Sequence, residues 1–116
     1  MNSSTTVRIA AIFGFLAVAL GAFGAHGLKA TLEAYGTAEV WKTASLYHLA
    51  HAVVLLVVAQ RTLVPRLAVW LFAAGIVVFS GTLYVLAITN LKWLGAIAPL
   101  GGLALLGGWV SLWRAR

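Results

Sequence analysis

The sequence predicts an all-α integral membrane protein: an antiparallel four-helix bundle with a short amphipathic interfacial segment between spans 1 and 2. Hydrophobic residues make up 63% of the chain and charged residues 9%, whereas soluble domains average about 45–50% and 25%. The ten charged side chains leave four charge-free runs of 18 to 25 residues. Each run matches the roughly 20 apolar residues that a helix needs to cross a bilayer core.

The four runs set the bounds of the elements within a single membrane domain, residues 1–116. We predict spans at about 8–28, 43–61, 67–89 and 93–113, with an interfacial connection at about 29–42. The first run exceeds the 7–15 apolar residues of a usual signal-peptide core, so we expect this span to be retained. The chain has no cysteine, which excludes disulfides, thiolate metal ligands and cysteine nucleophiles.

The connection after span 1 has helical character of its own. Its apolar and charged side chains fall on separate helical faces, Leu28, Leu32 and Tyr35 against Lys29 and Glu33. This pattern predicts a short amphipathic helix lying at the outer membrane interface. Gly36 breaks the pattern, and Thr37 is expected to be the N-cap of the helix leading into span 2.

The two later connections are short and predict tight turns between neighbouring spans. Pro65 cannot continue a helix, and Asn90 suits a turn. Pro99 lies about a third of the way into span 4, where it removes a backbone donor and clashes with the preceding helical turn. We therefore expect a kink near Gly95.

Small residues at helical spacing predict where the spans pack. Lipid tails are as apolar as leucine, so helices associate where small side chains let their backbones approach closely. Spans 1 and 4 carry most of these residues and are expected to make close contacts, whereas part of the bulkier span 2 is expected to face lipid. The predicted packing positions are Gly14, Gly21, Gly24, Gly81, Gly101 and Gly102.

The charges and tryptophans at the ends of the spans predict an orientation. Five basic residues fall on one side of the membrane: Arg8, Arg61, Arg66, Arg114 and Arg116. Lys29, Lys42 and Lys92 fall on the other side, together with both glutamates, Glu33 and Glu39. The positive-inside rule then places both termini in the cytoplasm. Tryptophans favour the headgroup level, which predicts Trp41 and Trp93 at the outer interface and Trp70, Trp109 and Trp113 at the inner one.

Three histidines and two tyrosines form the polar constellation of this chain. His26 ends span 1, whereas His48 and His51 lie on one face of span 2 beside Tyr47. Tyr84 lies deep in span 3 and needs a partner for its hydroxyl. Ionisable residues at membrane depth are rare and often functional, so these five residues are the candidate ligand-binding or proton-binding site.

Three interpretations of the histidines remain open. They can form hydrogen bonds between helices, bind a proton or small ligand near neutral pH, or hold a metal or haem. No carboxylate lies within the spans to complete a metal shell, and the chain has no aspartate for a catalytic triad. We therefore predict no metal site, no cofactor and no enzymatic activity.

Four motifs, one in each span, resemble a known family. They are Gly21-Ala22-Phe23-Gly24-Ala25-His26-Gly27-Leu28, Tyr47-His48-Leu49-Ala50-His51-Ala52, Phe79-Ser80-Gly81-Thr82-Leu83-Tyr84, and Pro99-Leu100-Gly101-Gly102 with Gly108-Trp109. In this order they resemble the YgdD/YwdK-like small membrane proteins, domain-of-unknown-function family 423. The resemblance implies a four-helix protein of bacterial inner membranes, with relatives in mitochondria, and no established activity.

This chain departs from the family pattern at two positions, having His48 where Gln is usual and Ala98 where Thr is usual. If Gln replaces His48 in relatives, a metal pair of His48 with His51 is not a general feature of the family. His26 and His51 then become the favoured polar pair, joined by a hydrogen bond between spans 1 and 2.

The function predicted from the sequence is that of a small multi-pass inner-membrane protein. The first hypothesis is a non-enzymatic bundle that acts through helix packing and assembly, with the lipid bilayer and a second copy or another membrane protein as partners. The alternatives are a small transporter or ligand-binding protein using the histidine and tyrosine cluster, and a metal-binding or haem-binding redox subunit. Nucleic acid is not an expected partner, because the net charge of +6 flanks membrane spans.

Overall fold

A computed structural model describes residues 1–115, and all the regular structure in that part of the chain is helical. Arg116, which was expected on the inner side of the membrane, lies outside the described residues. The helices are α1 (Ser3–Ala25), α2 (Lys29–Tyr35), α3 (Ala38–Val58), α4 (Arg66–Thr89) and α5 (Lys92–Arg114). All except α2 are long and apolar enough to cross a membrane.

Local residue chemistry explains where several helices begin and end. Asn2 caps α1, since its side-chain oxygen accepts from the Thr5 amide at 2.7 Å. Gly36 ends α2 in the left-handed conformation with φ 66°, as its position in the pattern predicts. Asn90 ends α4 with φ 58°, which confirms the expected turn. Thr37 is the N-cap residue of α3, as predicted, but its hydroxyl donates to the Ala87 carbonyl of α4 at 2.7 Å instead of bonding the first turn of α3.

Two of the spanning helices change their winding along their length. A π-helical segment, Ile76–Ser80, interrupts α4. Helix α5 begins as a 3₁₀ helix over Lys92–Ala96 and becomes α-helical over Ala98–Arg114. The kink expected near Gly95 is instead a change from 3₁₀ to α-helical winding, and Pro99 lies in the first turn of the α-helical part. A proline at that position is tolerated, because the first amides of a helix have no intrahelical acceptor.

The four spans form a flattened array with α3 inside it. Helix α1 packs mainly on α3, α5 packs mainly on α4, and α3 also packs on α4. The principal extents of 47 × 26 × 15 Å reflect this arrangement. Helix α4 is the most buried span and α1 the least. The short helix α2 rests on α3 and α4 through the buried side chain of Leu32.

Only some of the predicted packing glycines make close contacts. Gly24 faces the indole of Trp41, and Gly101 backs directly onto the main chain of Phe79. A Cβ on Gly102 would lie 3.8 Å from the Phe79 ring, which is ordinary contact. The close contacts of spans 1 and 4 are therefore made at particular glycines rather than along whole stripes.

The packing predicted for Gly14, Gly21 and Gly81 is wrong within the chain. A Cβ added at any of the three would meet nothing within 4 Å. On α1 the reason is helix rotation, since α3 covers the adjacent face that carries Ala10 and Ala17. On α3, Val53 and Val57 are exposed, in keeping with a partly lipid-facing helix.

Candidate functional site

Polar side chains connect α3 to each of the other three spans. The bonds are Trp41 Nε1 to Leu20 O at 3.0 Å, Ser80 Oγ to Ala44 O at 2.8 Å, His48 Nδ1 with Tyr84 Oη at 2.9 Å, and Trp109 Nε1 to His51 Nε2 at 3.1 Å. Each is a direct hydrogen bond between helices. In a bilayer, such a bond satisfies a polar group that would otherwise lie unpaired in hydrocarbon. The cluster around α3 is therefore the polar centre of the molecule.

His51 has both ring nitrogens engaged. Its Nδ1 lies 2.8 Å from the Tyr47 carbonyl, which can only accept, so Nδ1 carries the proton. Its Nε2 accepts from the Trp109 indole, which can only donate. These two partners specify a neutral imidazole in the Nδ1–H tautomer. A metal at Nε2 would first have to displace Trp109.

His48 lies on the same helix but in a different environment. It is 3% exposed, and its Nδ1 shares a hydrogen bond with the Tyr84 hydroxyl. Its Nε2 is buried without a hydrogen-bond partner among residues 1–115. The Ser45 hydroxyl, one helical turn earlier, is also buried and unbonded within that part of the chain. The partner that Tyr84 was predicted to need is thus His48, and two polar atoms beside them are unbonded within residues 1–115.

His26 does not belong to this cluster, which corrects the predicted His26–His51 pair. It lies exposed at the C-terminus of α1. Gly24, two residues before His26, contacts Trp41 of α3. Trp41 precedes His51 by ten residues, or about 15 Å along the helix axis. His26 therefore lies near the start of α3, far from His51. The three histidines therefore cannot converge on one metal ion, and residues 1–115 contain no other group of three His, Asp or Glu side chains placed to do so.

Tyr47 and His51 instead line a groove between α3, α4 and α5. This groove, called the His51 groove, has a volume of about 530 Å³. It is lined by Tyr47, His51, Phe79, Pro99, Gly102, Leu103, Leu105, Leu106 and Trp109. The Tyr47 ring packs 4.9 Å from that of Phe79, and its side chain is 43% exposed. The groove is thus largely apolar, with a phenol and an imidazole–indole pair in its wall.

Two tryptophans that were expected at the membrane interfaces point inward and contact the polar cluster. Trp41 is 4% exposed, and its indole packs 4.6 Å from the Tyr84 ring. Trp109 holds His51. A span is apolar on every side, so hydropathy could not indicate that these two indoles point inward. Trp70, Trp93 and Trp113 are exposed, as residues at the headgroup level would be.

Comparison with known proteins identifies close relatives along nearly the whole chain. A family described as a protein of unknown function, DUF423, matches residues 20–102. The UPF0382 membrane protein YwdK of Bacillus subtilis is 46% identical over 91% of this chain and 90% of its own. The UPF0382 inner membrane protein YgdD of Escherichia coli is 37% identical over 97% and 88%. No solved structure matches this chain.

These matches confirm the resemblance carried by the four motifs, and the structure gives those motifs contacts. Gly24 accommodates Trp41, His48 meets Tyr84, and Gly101 backs onto Phe79. With four helices able to span a membrane and relatives that are membrane proteins of unknown function, the chain belongs to the DUF423 family of membrane proteins.

Proposed function

We propose that this protein is a non-enzymatic four-span membrane protein that works by assembly, pairing with a second copy of itself through α1. One observation carries the proposal: α1 presents two adjacent seams with the same spacing, of which its own chain packs against one and leaves the other, made of small side chains, half-buried or exposed.

The packed seam and the exposed seam have the same spacing. The packed seam lies against α3 and consists of Thr6, Ala10, Phe13, Ala17, Leu20 and Gly24. The exposed seam consists of Val7, Ala11, Gly14, Val18, Gly21 and Ala25. Both follow alternating steps of four and three residues, which is the repeat that brings side chains to the contact line of two crossing helices.

The exposed seam is suited to close helix contact. No side chain in it is larger than valine, and Val18 is 66% exposed. Gly14 and Gly21 have open space where a Cβ would stand. In lipid, where apolar burial does not drive association, such small residues allow the close approach that does.

A second copy fits this seam by symmetry. Two chains inserted in the same orientation present parallel α1 helices, and a heptad seam then meets itself in register. Such a two-fold pair uses the same patch on both partners. A different membrane protein that offers a matching helix is the alternative occupant.

The arrangement in the bilayer is part of this proposal. Consecutive spans run antiparallel, which is supported by the bond from Ser3 Oγ to Ala59 O at the start of α1 and the end of α3. Helix α2 lies along the outer interface with Leu32 inward and Glu33 outward. Both termini face the cytoplasm, because arginines flank the spans at that end.

The test is the oligomeric state of the purified protein in liposomes, measured by single-molecule photobleaching over a range of protein-to-lipid ratios. Gly21→Leu and Gly14→Leu place bulk on the exposed seam and should raise the dimer dissociation constant at least tenfold, or about 1.4 kcal/mol. Ala74→Leu adds bulk at an exposed position of α4 and should leave it unchanged. A wild-type protein that stays monomeric at every ratio would contradict self-assembly.

The His51 groove supports a second candidate function, the binding of a small lipid-soluble molecule. Its volume of about 530 Å³ falls in the range of about 300–1,000 Å³ typical of ligand sites. Fluorescence titration with the apolar probe aminoanthracene tests this. Binding that is lost in Gly102→Leu, which fills the groove, and kept in Gly107→Leu would support it, whereas equal binding by both variants would count against it.

A further inference from the structure

A second groove lies at the end of the molecule where α4 begins and α5 ends. It has a volume of about 600 Å³ and lies between the two helices. Arg66 and Arg114 contribute its charged lining, and Leu67, Leu71, Gly107 and Val110 contribute apolar walls. We call it the arginine groove. It lies apart from the His51 groove, although both share α5.

Within residues 1–115, the two arginines of this groove have no acidic partner. The sequence contains only two acidic residues, Glu33 and Glu39, and both lie in or beside the connection between α1 and α3, at the opposite end. The one ion pair within residues 1–115 joins Lys42 to Glu39. Within the described residues no acidic side chain neutralises Arg66 or Arg114, so both are available to an anion from outside the protein. The guanidinium group suits phosphate in particular, because its planar donors match two phosphate oxygens.

The apolar part of the groove follows the spans away from these charges. Leu67 and Val110 are exposed side chains on its walls. Gly107 leaves its floor open, since a Cβ there would lie 3.5 Å from the Leu71 side chain and meet no backbone. A ligand that fills the whole groove thus needs a phosphate at one end and a hydrocarbon chain along the other.

We propose that the arginine groove binds one anionic phospholipid, with the phosphate between Arg66 and Arg114 and an acyl chain along Leu67, Leu71, Gly107 and Val110. The Ser111 hydroxyl lines the same groove and adds a donor near the headgroup. If binding were only the general attraction of a basic surface for an anionic leaflet, all the arginines at this end would contribute equally. A groove site depends on two of them and on the apolar floor. This site is formed by α4 and α5, so it does not depend on the proposed assembly through α1.

The test uses native mass spectrometry of the full-length protein in neutral detergent, titrated with dioleoyl phosphatidylglycerol and dioleoyl phosphatidylcholine. Wild type should retain phosphatidylglycerol in preference to phosphatidylcholine. Arg66→Gln with Arg114→Gln should weaken phosphatidylglycerol binding about thirty-fold, because each basic residue near anionic lipid contributes about a factor of five. Arg8→Gln with Arg61→Gln removes the same charge outside the groove and should change binding less than about threefold.

A matched glycine pair tests the apolar part. Gly107→Leu fills the arginine groove and should abolish the preference for phosphatidylglycerol, whereas Gly102→Leu fills the His51 groove and should preserve it. Excess glycerol 3-phosphate, a headgroup without chains, should not compete. Unchanged binding in the Arg66/Arg114 variant, an equal loss in the Arg8/Arg61 variant, or competition by glycerol 3-phosphate would each overturn the proposal.

Discussion

His51 and His48 lie three residues apart on α3 and have opposite hydrogen-bonding environments. His51 donates to the Tyr47 carbonyl and accepts from Trp109, so one neutral tautomer satisfies both nitrogens. His48 has one bonded and one unbonded nitrogen, both buried. A buried polar group without a partner is costly, so the fold satisfies the His51 ring fully and the His48 ring only on its Nδ1 side.

Substitutions at His48 test whether its bond with Tyr84 is structural. His48→Leu should lower the free energy of unfolding by about 1 kcal/mol, because interhelical bonds in membranes contribute about 0.6 and at most about 1.7 kcal/mol. His48→Gln keeps a group able to bond the Tyr84 hydroxyl and should stay within about 0.5 kcal/mol of wild type. Unfolding by sodium dodecyl sulfate in mixed micelles gives both values.

Two tyrosine variants provide the control. Tyr84→Phe should lose as much as His48→Leu, and combining the two should cost little more, because they remove the same bond. Tyr47→Phe alters a half-exposed hydroxyl and should be neutral. A His48→Gln protein as unstable as His48→Leu would indicate that the imidazole itself is required.

At the scale of elements, the π-helical segment of α4 decides how α5 can pack. The backbone at Phe79, inside this segment, lies directly against Gly101. Ser80, at its end, donates to the Ala44 carbonyl of α3. The widened turn therefore contacts two helices at once, and π-helical turns often mark such specialised positions. Gly101 is required there because any side chain would meet backbone, which cannot rotate away.

Neighbouring glycines of α5 give a sharp test of this contact. Gly101→Ala should destabilise the protein by about 2–3 kcal/mol, the cost of overpacking a filled contact. Gly102→Ala should stay within about 0.5 kcal/mol of wild type, because its Cβ has ordinary room. The same detergent unfolding measurement compares them. Equal effects of the two substitutions would mean that α5 does not approach Phe79 as closely as described.

At the scale of the whole molecule, α3 holds the array together and α1 stands at its margin. The three other spans all share polar bonds with α3, whereas α1 packs mainly on this one neighbour. A flattened array leaves more helix surface for lipid and partners than a square bundle would. The exposed seam of α1 and the arginine groove are both consequences of this shape.

The absence of cysteine makes the proposed orientation directly measurable. Single substitutions Ala34→Cys and Thr62→Cys introduce unique thiols at exposed positions near opposite ends of the spans. In intact cells a membrane-impermeant maleimide should label Ala34→Cys, and it should label Thr62→Cys only after lysis, since the arginine-flanked end is expected in the cytoplasm. Labelling in the reverse pattern would place the termini outside.

Local features of this chain could be predicted from its sequence, and helix rotation could not. Hydropathy identified four helices able to span a membrane, and the turns at Gly36 and Asn90 followed from backbone preferences. The wrong predictions share one cause. Gly14 was expected to make a close contact within the chain and His26 to pair with His51, and each expectation required knowing which face of a helix meets which neighbour.

The sequence by itself determined the membrane class, the four spanning helices and the family, because length, hydropathy and motifs are properties of the chain alone. Only the tertiary structure decided that Trp109 holds His51, that Tyr84 meets His48 and that Gly101 rather than Gly14 is packed. In a soluble helix, a polar face would have shown which side points inward. In a membrane-spanning helix, the lipid and the protein interior are equally apolar, so hydropathy does not show which face points inward.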